Sequence, residues 1–212
     1  MAILPVIELG ALWVNDVPTS PTRADFVDET GNTVSIQEFD SWSAYMLSPL
    51  GEVLGELSGS EQGNHLLFTW PETTILDNAG IYQILVSFQD PLGVNVQAEP
   101  YRFVVQALDG WLTLEQARQL WADAPLDDIF LALILETARE QCEAYAPVLL
   151  TDALIPVRYT QAQLTQARAL YQSTIANQND NVGIEGFTVR VFPLDFTIRA
   201  MLRPKKAIGG MF

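Results

Sequence analysis

The chain has 212 residues, of which 49% are apolar, so it can bury one or two hydrophobic cores, and disorder throughout its length is excluded. A formal net charge of −15 argues against DNA binding through neutralised phosphates, because that mode requires clustered Lys and Arg. One cysteine cannot form an intrachain disulfide, and the longest apolar run, Ile129 to Leu135, is far shorter than the roughly 20 residues of a membrane-spanning helix.

The N-terminal half has the pattern of short β-strands separated by turns. Strands are predicted at residues 42–47, 66–70, 81–88 and 101–105. Turn clusters rich in Pro, Gly, Ser and Asp follow several of them. Between Tyr82 and Phe88 every second residue is apolar and is predicted to share one buried face. Successive strands without a helical period predict a β-sandwich.

The segment Leu76-Asp77-Asn78-Ala79-Gly80-Ile81-Tyr82-Gln83-Ile84 precedes and opens one of these strands. It resembles the tyrosine corner of immunoglobulin-like domains, in which a Tyr hydroxyl bonds back to the preceding loop. Ile84 stands where such domains usually have a Cys, which removes the disulfide but keeps the position apolar. An immunoglobulin-like sandwich is the favoured fold, and another small β-fold is the alternative.

Charge and hydrophobic period both change near residue 107. Residues 1–107 hold 14 acidic and 2 basic residues, whereas residues 108–212 hold 12 acidic and 9 basic ones. Asp109-Gly110 is a turn signal, and a helical period follows it. We therefore predict an α+β chain with a β-sandwich domain at residues 1–107 and a small α-helical domain at residues 108–212.

Three helices are predicted in the second domain. Thr113 and Gln116 fit a capping box at the start of the first helix. The second helix is expected to begin near Asp127 and to end before Pro147. A further capping box at Thr160 predicts the start of the third helix, which gives way to polar residues at 177–183.

The second helix opens with an apolar run that is wider than one helical face. Its candidate interface residues are Ile129, Phe130, Leu133 and Ile134. A helix that is apolar on all sides is buried on all sides. A neighbouring subunit is one explanation for this run, and the central position in a small bundle is the other.

After the third helix the sequence predicts a β-arm and a basic tail. Apolar residues alternate with other residues from Phe187 to Phe192, and Pro193 begins a last helical turn. Residues 199–212 contain four basic residues and no acidic one. Because Pro204 stops a regular helix, the end of the chain is expected to become ordered only on a partner.

Two segments of this half resemble a known family. Gly110-Trp111-Leu112-Thr113 leads into a short helix, and residues 192–206 read Phe-Pro-Leu-Asp-Phe-Thr-Ile-Arg-Ala-Met-Leu-Arg-Pro-Lys-Lys. Together with the order of helices and arm, they resemble the head-to-tail connector, or adaptor, proteins of long-tailed bacteriophages, most of all those infecting actinobacteria. The resemblance covers residues 110–212, and the N-terminal sandwich lies outside the usual connector pattern.

The resemblance implies a structural virion protein. Connectors form a homo-oligomeric ring, commonly a dodecamer, between the portal protein and the tail-side neck or tail terminator protein. The portal-binding residues would be Arg199, Arg203, Lys205, Lys206 and Phe212. Packaged DNA would pass through the ring without specific binding. The protein would be made in the host cytoplasm and reside in the head–tail neck, without membrane contact.

The sequence offers no constellation of catalytic groups. His65 is the single histidine and has no neighbouring His or Cys to share a metal, and Cys142 lies on the apolar side of a helix. Asp25, Asp28 and Glu29 form an acidic loop, for which a solvated turn is favoured over a calcium site because the regular ligand spacing is missing. We predict no enzyme, no cofactor and no metal.

A second function class remains open. The sandwich could be a surface-binding module of a phage tail or baseplate that grips a glycan or the host surface. Trp13, Trp42 and Trp70 are the aromatic residues that could stack on sugars, although tryptophans of a sandwich belong more often to its core.

Overall fold

The computed structural model describes residues 2–70, 76–149, 154–179 and 194–204. The chain divides into two compact units, residues 1–107 and 108–212. In the described ranges every strand belongs to the first unit and every helix of α type to the second. The expected α+β class is therefore confirmed.

The first unit consists of two sheets. Its strands are β1 (Ile3–Ile7), β2 (Leu12–Trp13), β3 (Thr22–Asp28), β4 (Ser41–Leu47), β5 (Val53–Glu56), β6 (Ser58–Gln62), β7 (His65–Thr69), β8 (Gly80–Gln89), β9 (Asn95–Gln97) and β10 (Tyr101–Gln106). One sheet has the order β1-β3-β7-β6. The other has the order β2-β10-β8-β4-β5, and β9 pairs with β8. Neighbouring strands are antiparallel except β2 and β10, which are parallel.

The alternation of β8 builds the core between the sheets. Its inward residues, every second one from Tyr82 to Phe88, are at most 1% exposed. Phe26 of β3 meets Phe88 edge-on, with ring centroids 5.0 Å apart. Phe68 of β7 belongs to the same apolar cluster. Because the inner faces of both sheets share one core, the predicted β-sandwich is confirmed at this level.

Strand β6 has no apolar alternation, and all five of its residues are exposed. Backbone pairing with β7 holds it in place, with Gly59 opposite Phe68. A Cβ atom at Gly59 would overlap the carbonyl group of Leu67, so the close approach of these two strands requires glycine there.

The second unit contains α1 (Leu114–Leu120), α2 (Asp128–Tyr145), α3 (Val157–Asn179) and α4 (Phe196–Leu202). The predicted capping box is confirmed, since the Thr113 side chain accepts from the Gln116 amide at 3.2 Å and the Gln116 side chain accepts from the Thr113 amide at the same distance. Asp127 caps α2 by accepting from the Phe130 amide at 2.9 Å. Local side-chain chemistry therefore fixes where α1 and α2 begin.

The predicted cap of the third helix is wrong. Helix α3 begins at Val157, three residues before Thr160. The Thr160 hydroxyl instead donates to the Val157 carbonyl at 2.9 Å within the first turn. Pro156 precedes the helix, and its carbonyl accepts from the Tyr159 amide at 2.7 Å. Because the residue before a helix makes no intrahelical bond through its N–H, the missing N–H of Pro156 costs no hydrogen bond there.

Helix α2 packs on α3 through residues at helical spacing. Its buried residues are Leu131, Ile134, Leu135, Ala138 and Cys142. Gln163 of α3 is 2% exposed, and its amide group donates to the Leu135 carbonyl at 3.1 Å. The same side chain accepts from the Leu112 amide at 3.0 Å. This buried amide satisfies two backbone groups that belong to different parts of the unit.

Several sequence predictions lie outside the described residues. They are the β-arm at residues 187–192 and the tail residues Lys205, Lys206 and Phe212.

Candidate interaction surfaces

The first turns of α2 carry two apolar residues on one face, of which one is exposed. Leu133 is 51% exposed, and Ile129, one turn earlier, is half-buried. We call these two residues the α2 stripe. Leu126, immediately before the helix, is 92% exposed. Within the described residues the stripe is therefore available for contact with another molecule.

The other two candidate interface residues face inward. Phe130 is half-buried and meets the Tyr171 ring of α3 edge-on, with centroids 6.1 Å apart. Ile134 is only 7% exposed, because it lies on the side of α2 that packs within the helical unit. The assignment of Ile134 to an interface is thus corrected to a core role. The apolar run covers two faces of the helix, of which one is used inside the unit.

Two arginines of the expected tail belong to folded structure. Arg199 lies inside α4, and Arg203 follows its last residue. Their guanidinium groups lie over the ring of Tyr145, at 5.7 and 4.9 Å from its centroid. Both side chains are on exposed residues, and neither forms an ion pair with a carboxylate among the described residues. Tyr145 therefore brings two exposed positive charges close together.

A third arginine lies in a charged network near the C-terminal end of α2. Arg139 pairs with Asp109 at 2.6 Å and with Glu143 at 2.9 Å, and its guanidinium lies 5.5 Å from the Trp111 ring centroid. Burial lowers the pKa of Arg139, but the Glu143 hydrogen bond and the charges of Asp109 and Glu136 outweigh burial and raise it. Arg139 is therefore a permanent cation that ties α2 to the segment before α1.

This network borders an open pocket of about 390 Å³. Its walls include the aromatic rings of Trp111 and Tyr159, together with Leu149 and Ile155. The two rings are 6.3 Å apart between centroids. Sequence reasoning missed this pocket because its walls come from distant segments. The one available signal was the apolar content of residues 147–157, which lie between two helices and include two prolines.

The candidate chemical groups are placed apart from one another. Cys142 is fully buried, and burial, with a smaller effect from the charge of Glu143, raises the pKa of its thiol to about 11. This thiol is a core side chain and not a nucleophile. His65 is half-buried at the first position of β7. In the described ranges no three His, Cys, Asp or Glu side chains converge as metal ligands.

The acidic loop after β3 is closed by its own hydrogen bonds. Asp28 accepts from the hydroxyl and amide of Thr30 at 2.7 and 2.8 Å and from the amide of Asn32 at 2.9 Å. These bonds, the Thr30 hydroxyl foremost, lower the pKa of Asp28 to about 2. Asp25 pairs instead with Arg23 at 2.8 Å. Asp28 thus closes a turn at the end of β3, whereas Asp25 lies inside β3 and does not belong to the predicted acidic loop.

The three tryptophans considered for sugar stacking differ in burial. Trp70 is 5% exposed, and its indole N–H donates to the Thr22 hydroxyl at 2.8 Å. Trp42 packs edge-on against Phe68, with centroids 5.8 Å apart, and Trp13 is half-buried. Trp70 is therefore a core residue, and no face of its ring is free for a ligand.

No described helix combines the length and the apolar character that a membrane crossing requires. No protein-family model matches the chain, and no curated protein matches it. Among solved structures, the chain is similar to CopC from Methylosinus trichosporium OB3b, with 17% sequence identity and a TM-score of 0.30. The match covers 48% of this chain and 87% of that one.

Proposed function

We propose that the protein is a non-enzymatic structural subunit of the neck of a long-tailed bacteriophage. It assembles as a ring between the portal protein and the tail, extends the DNA channel and docks the tail. The observation that carries this proposal is the α2 stripe. Its residue Leu133 belongs to the apolar run at the start of α2 and is nevertheless 51% exposed. Contact with a second copy of the helical unit removes the exposed surface of this leucine from water, which is favourable.

The charge of the chain supports a channel that DNA traverses without adhering. Residues 108–212, which would form the channel, hold 12 acidic and 9 basic residues, and two of their arginines, Arg118 and Arg139, already pair with carboxylates. An acidic wall repels phosphates, so passing DNA is kept away from the surface.

The basic end of the chain is the proposed portal contact. Arg199 and Arg203 are held on Tyr145, and Lys205, Lys206 and Phe212 follow them in sequence. Two neighbouring exposed guanidinium groups suit an acidic patch on a partner, because each can form charge-assisted hydrogen bonds with carboxylates. Removal of residues 203–212 is expected to leave the fold intact and to yield DNA-filled or leaking heads without tails. Normal yields of tailed infectious particles would contradict this role.

The N-terminal unit is proposed to be an immunoglobulin-like sandwich that decorates the outside of the neck. Its support is the Tyr82 hydroxyl, which donates to the Asn78 carbonyl at 2.9 Å in the manner of a tyrosine corner. This unit holds 14 acidic and 2 basic residues, and its negative charge favours contact with solvent over contact with DNA. A protein lacking residues 1–107 should therefore still complete particles. Failure to assemble with the remainder folded would place this unit in the joint itself.

The alternative function, a glycan- or host-binding module of a tail or baseplate, has less support. The burial of Trp70 removes one of the three aromatic platforms on which it depended. Solution mass separates the two functions, since a large closed ring favours the connector and a monomer with sugar affinity favours the module.

The test of ring assembly compares Leu133→Asp with Gln161→Asp. Both variants add one carboxylate at an exposed helical position, and only Leu133 belongs to the α2 stripe. We expect Leu133→Asp to lower the assembled mass in light scattering while the helical circular dichroism is retained. Gln161→Asp should assemble as the wild type does. An unchanged ring in Leu133→Asp would remove the α2 stripe from the interface.

A further inference from the structure

Exposed apolar side chains lie in the two segments that line the pocket at the C-terminal end of α2, or next to them in sequence. Val148, Leu154 and Val157 are 98%, 93% and 81% exposed. Val148 lines the pocket, as do the half-buried Leu149 and Ile155. Single exposed apolar residues are ordinary, but a concentration of them beside a concave site marks a binding surface. The pocket thus suits an apolar ligand.

The rim of the pocket is acidic. Asp109, Glu143 and Arg139 lie on it, and the single guanidinium is shared by the two carboxylates. Burial raises the pKa of the nearby Glu136, and the charges of Glu140, Glu143 and Asp109 add to this rise against the effect of Arg139. Two carboxylates and one guanidinium line the opening, and the guanidinium of Arg158 lies 5.1 Å from the ring centroid of the lining residue Tyr159. The apolar lining therefore decides the class of ligand, and the two lining carboxylates accept a cation beside the apolar group.

The C-terminus of the chain has this chemistry and is within reach. Residues 205–212 read Lys-Lys-Ala-Ile-Gly-Gly-Met-Phe, with two cations first and two large apolar side chains last. Ile198 and Leu202 of α4 belong to the same apolar cluster as Tyr159 and Ala146, which line the pocket. The chain therefore leaves α4 beside the pocket, and eight extended residues span up to about 26 Å.

We infer that the pocket binds Met211 and Phe212 of its own chain, with Lys205 and Lys206 against the acidic rim. The occupant is the same chain because a short tether raises its effective concentration to roughly the millimolar range. The inference does not depend on ring assembly. If the tail also contacts the portal, its apolar end is covered by the pocket until the portal binds it.

The test uses pairs of introduced cysteines. Val148→Cys with Phe212→Cys places one thiol at the pocket and one at the chain end, while the native Cys142 is fully buried and does not compete. Leu126→Cys with Phe212→Cys is the matched control. Leu126 is 92% exposed and precedes α2, and the 18 residues of that helix, about 27 Å long, lie between it and Val148. We expect the pocket pair to form an intramolecular disulfide at least about tenfold faster under mild oxidation.

Two outcomes of the cysteine experiment overturn the inference. Equal rates of disulfide formation for the two pairs show that the chain end does not bind in the pocket. Disulfide-linked dimers from the Val148 pair show that the pocket receives the end of a neighbouring copy instead.

A second measurement avoids the introduced cysteines. A protein lacking residues 205–212 should bind a synthetic peptide of these eight residues, and the full-length chain should not, because its own tail fills the pocket. Peptides ending in Ala-Ala in place of Met-Phe should bind neither protein. Absence of peptide binding to the truncated protein contradicts the inference.

Discussion

The hydroxyl of Tyr82 donates to the carbonyl of Asn78 at 2.9 Å and also accepts from the amide of the same residue at 3.3 Å. One side chain thus closes the loop that precedes β8, although the Tyr82 ring itself is fully buried in the sandwich core. Burial also raises the pKa of the phenol, so Tyr82 remains a hydrogen-bond donor at ordinary pH. The start of β8 is thereby fixed to the core.

Tyr82→Phe is expected to destabilise the first unit by about 1 kcal/mol, because it deletes these hydrogen bonds without changing the packing of the ring. Urea denaturation followed by circular dichroism measures the loss. Tyr45→Phe is the control, since Tyr45 is 40% exposed and no hydrogen bond of its hydroxyl is described. Equal midpoints for the two variants would show that the Tyr82 hydroxyl does not stabilise the loop.

Gln163→Ala should destabilise the helical unit by about 1–3 kcal/mol, because the Leu112 amide and the Leu135 carbonyl both lose their bond to the buried side chain. Gln161→Ala, at an exposed position on the same helix, should change stability by less than about 0.5 kcal/mol. Thermal unfolding followed by the helical circular dichroism signal distinguishes the two variants. A neutral Gln163→Ala would mean that water replaces the amide.

The Cys142 thiol should not react with a thiol-specific reagent at pH 8 in the folded protein and should react at once in guanidinium. Val148→Cys, whose position is 98% exposed, supplies a fast-reacting control. Because the folded pKa of about 11 exceeds the ordinary 9.0, the folded state favours the neutral thiol. The stability from this preference is present below pH 9 and is lost as pH rises towards 11. Cys142→Ala should flatten that alkaline decline, and identical profiles would contradict it.

Limited chymotrypsin digestion should cut first after Leu108, which is 78% exposed beside the boundary of the two units. Two folded fragments are expected, one with a β-type and one with a helical circular dichroism spectrum. Early cuts between residues 30 and 100 would instead show that the first unit is not a stable sandwich.

Features that depend on neighbours in sequence could be predicted. The alternation from Tyr82 to Phe88 places one face of β8 in the core because side chains in a strand alternate. Thr113 and Asp127 identify helix starts because a cap acts over three residues. Thr160 carries the same signal but lies inside α3, because the helix already begins after Pro156. A short capping pattern is therefore neither sufficient for a helix start nor required for one.

Tertiary structure decided the features that depend on distant partners. Strand β6 is polar along its whole length and exists through pairing with β7. The run containing Leu133 and Ile134 is apolar on both sides, and only packing against α3 determines that Ile134 is buried while Leu133 is exposed. The pocket likewise forms where Trp111 meets Tyr159. The sequence alone determined the hydrophobic periodicity, two of the helix caps and the charge distribution, because these depend on residues that are close in sequence. Which face of a helix or strand is buried depends instead on which distant segments pack against it.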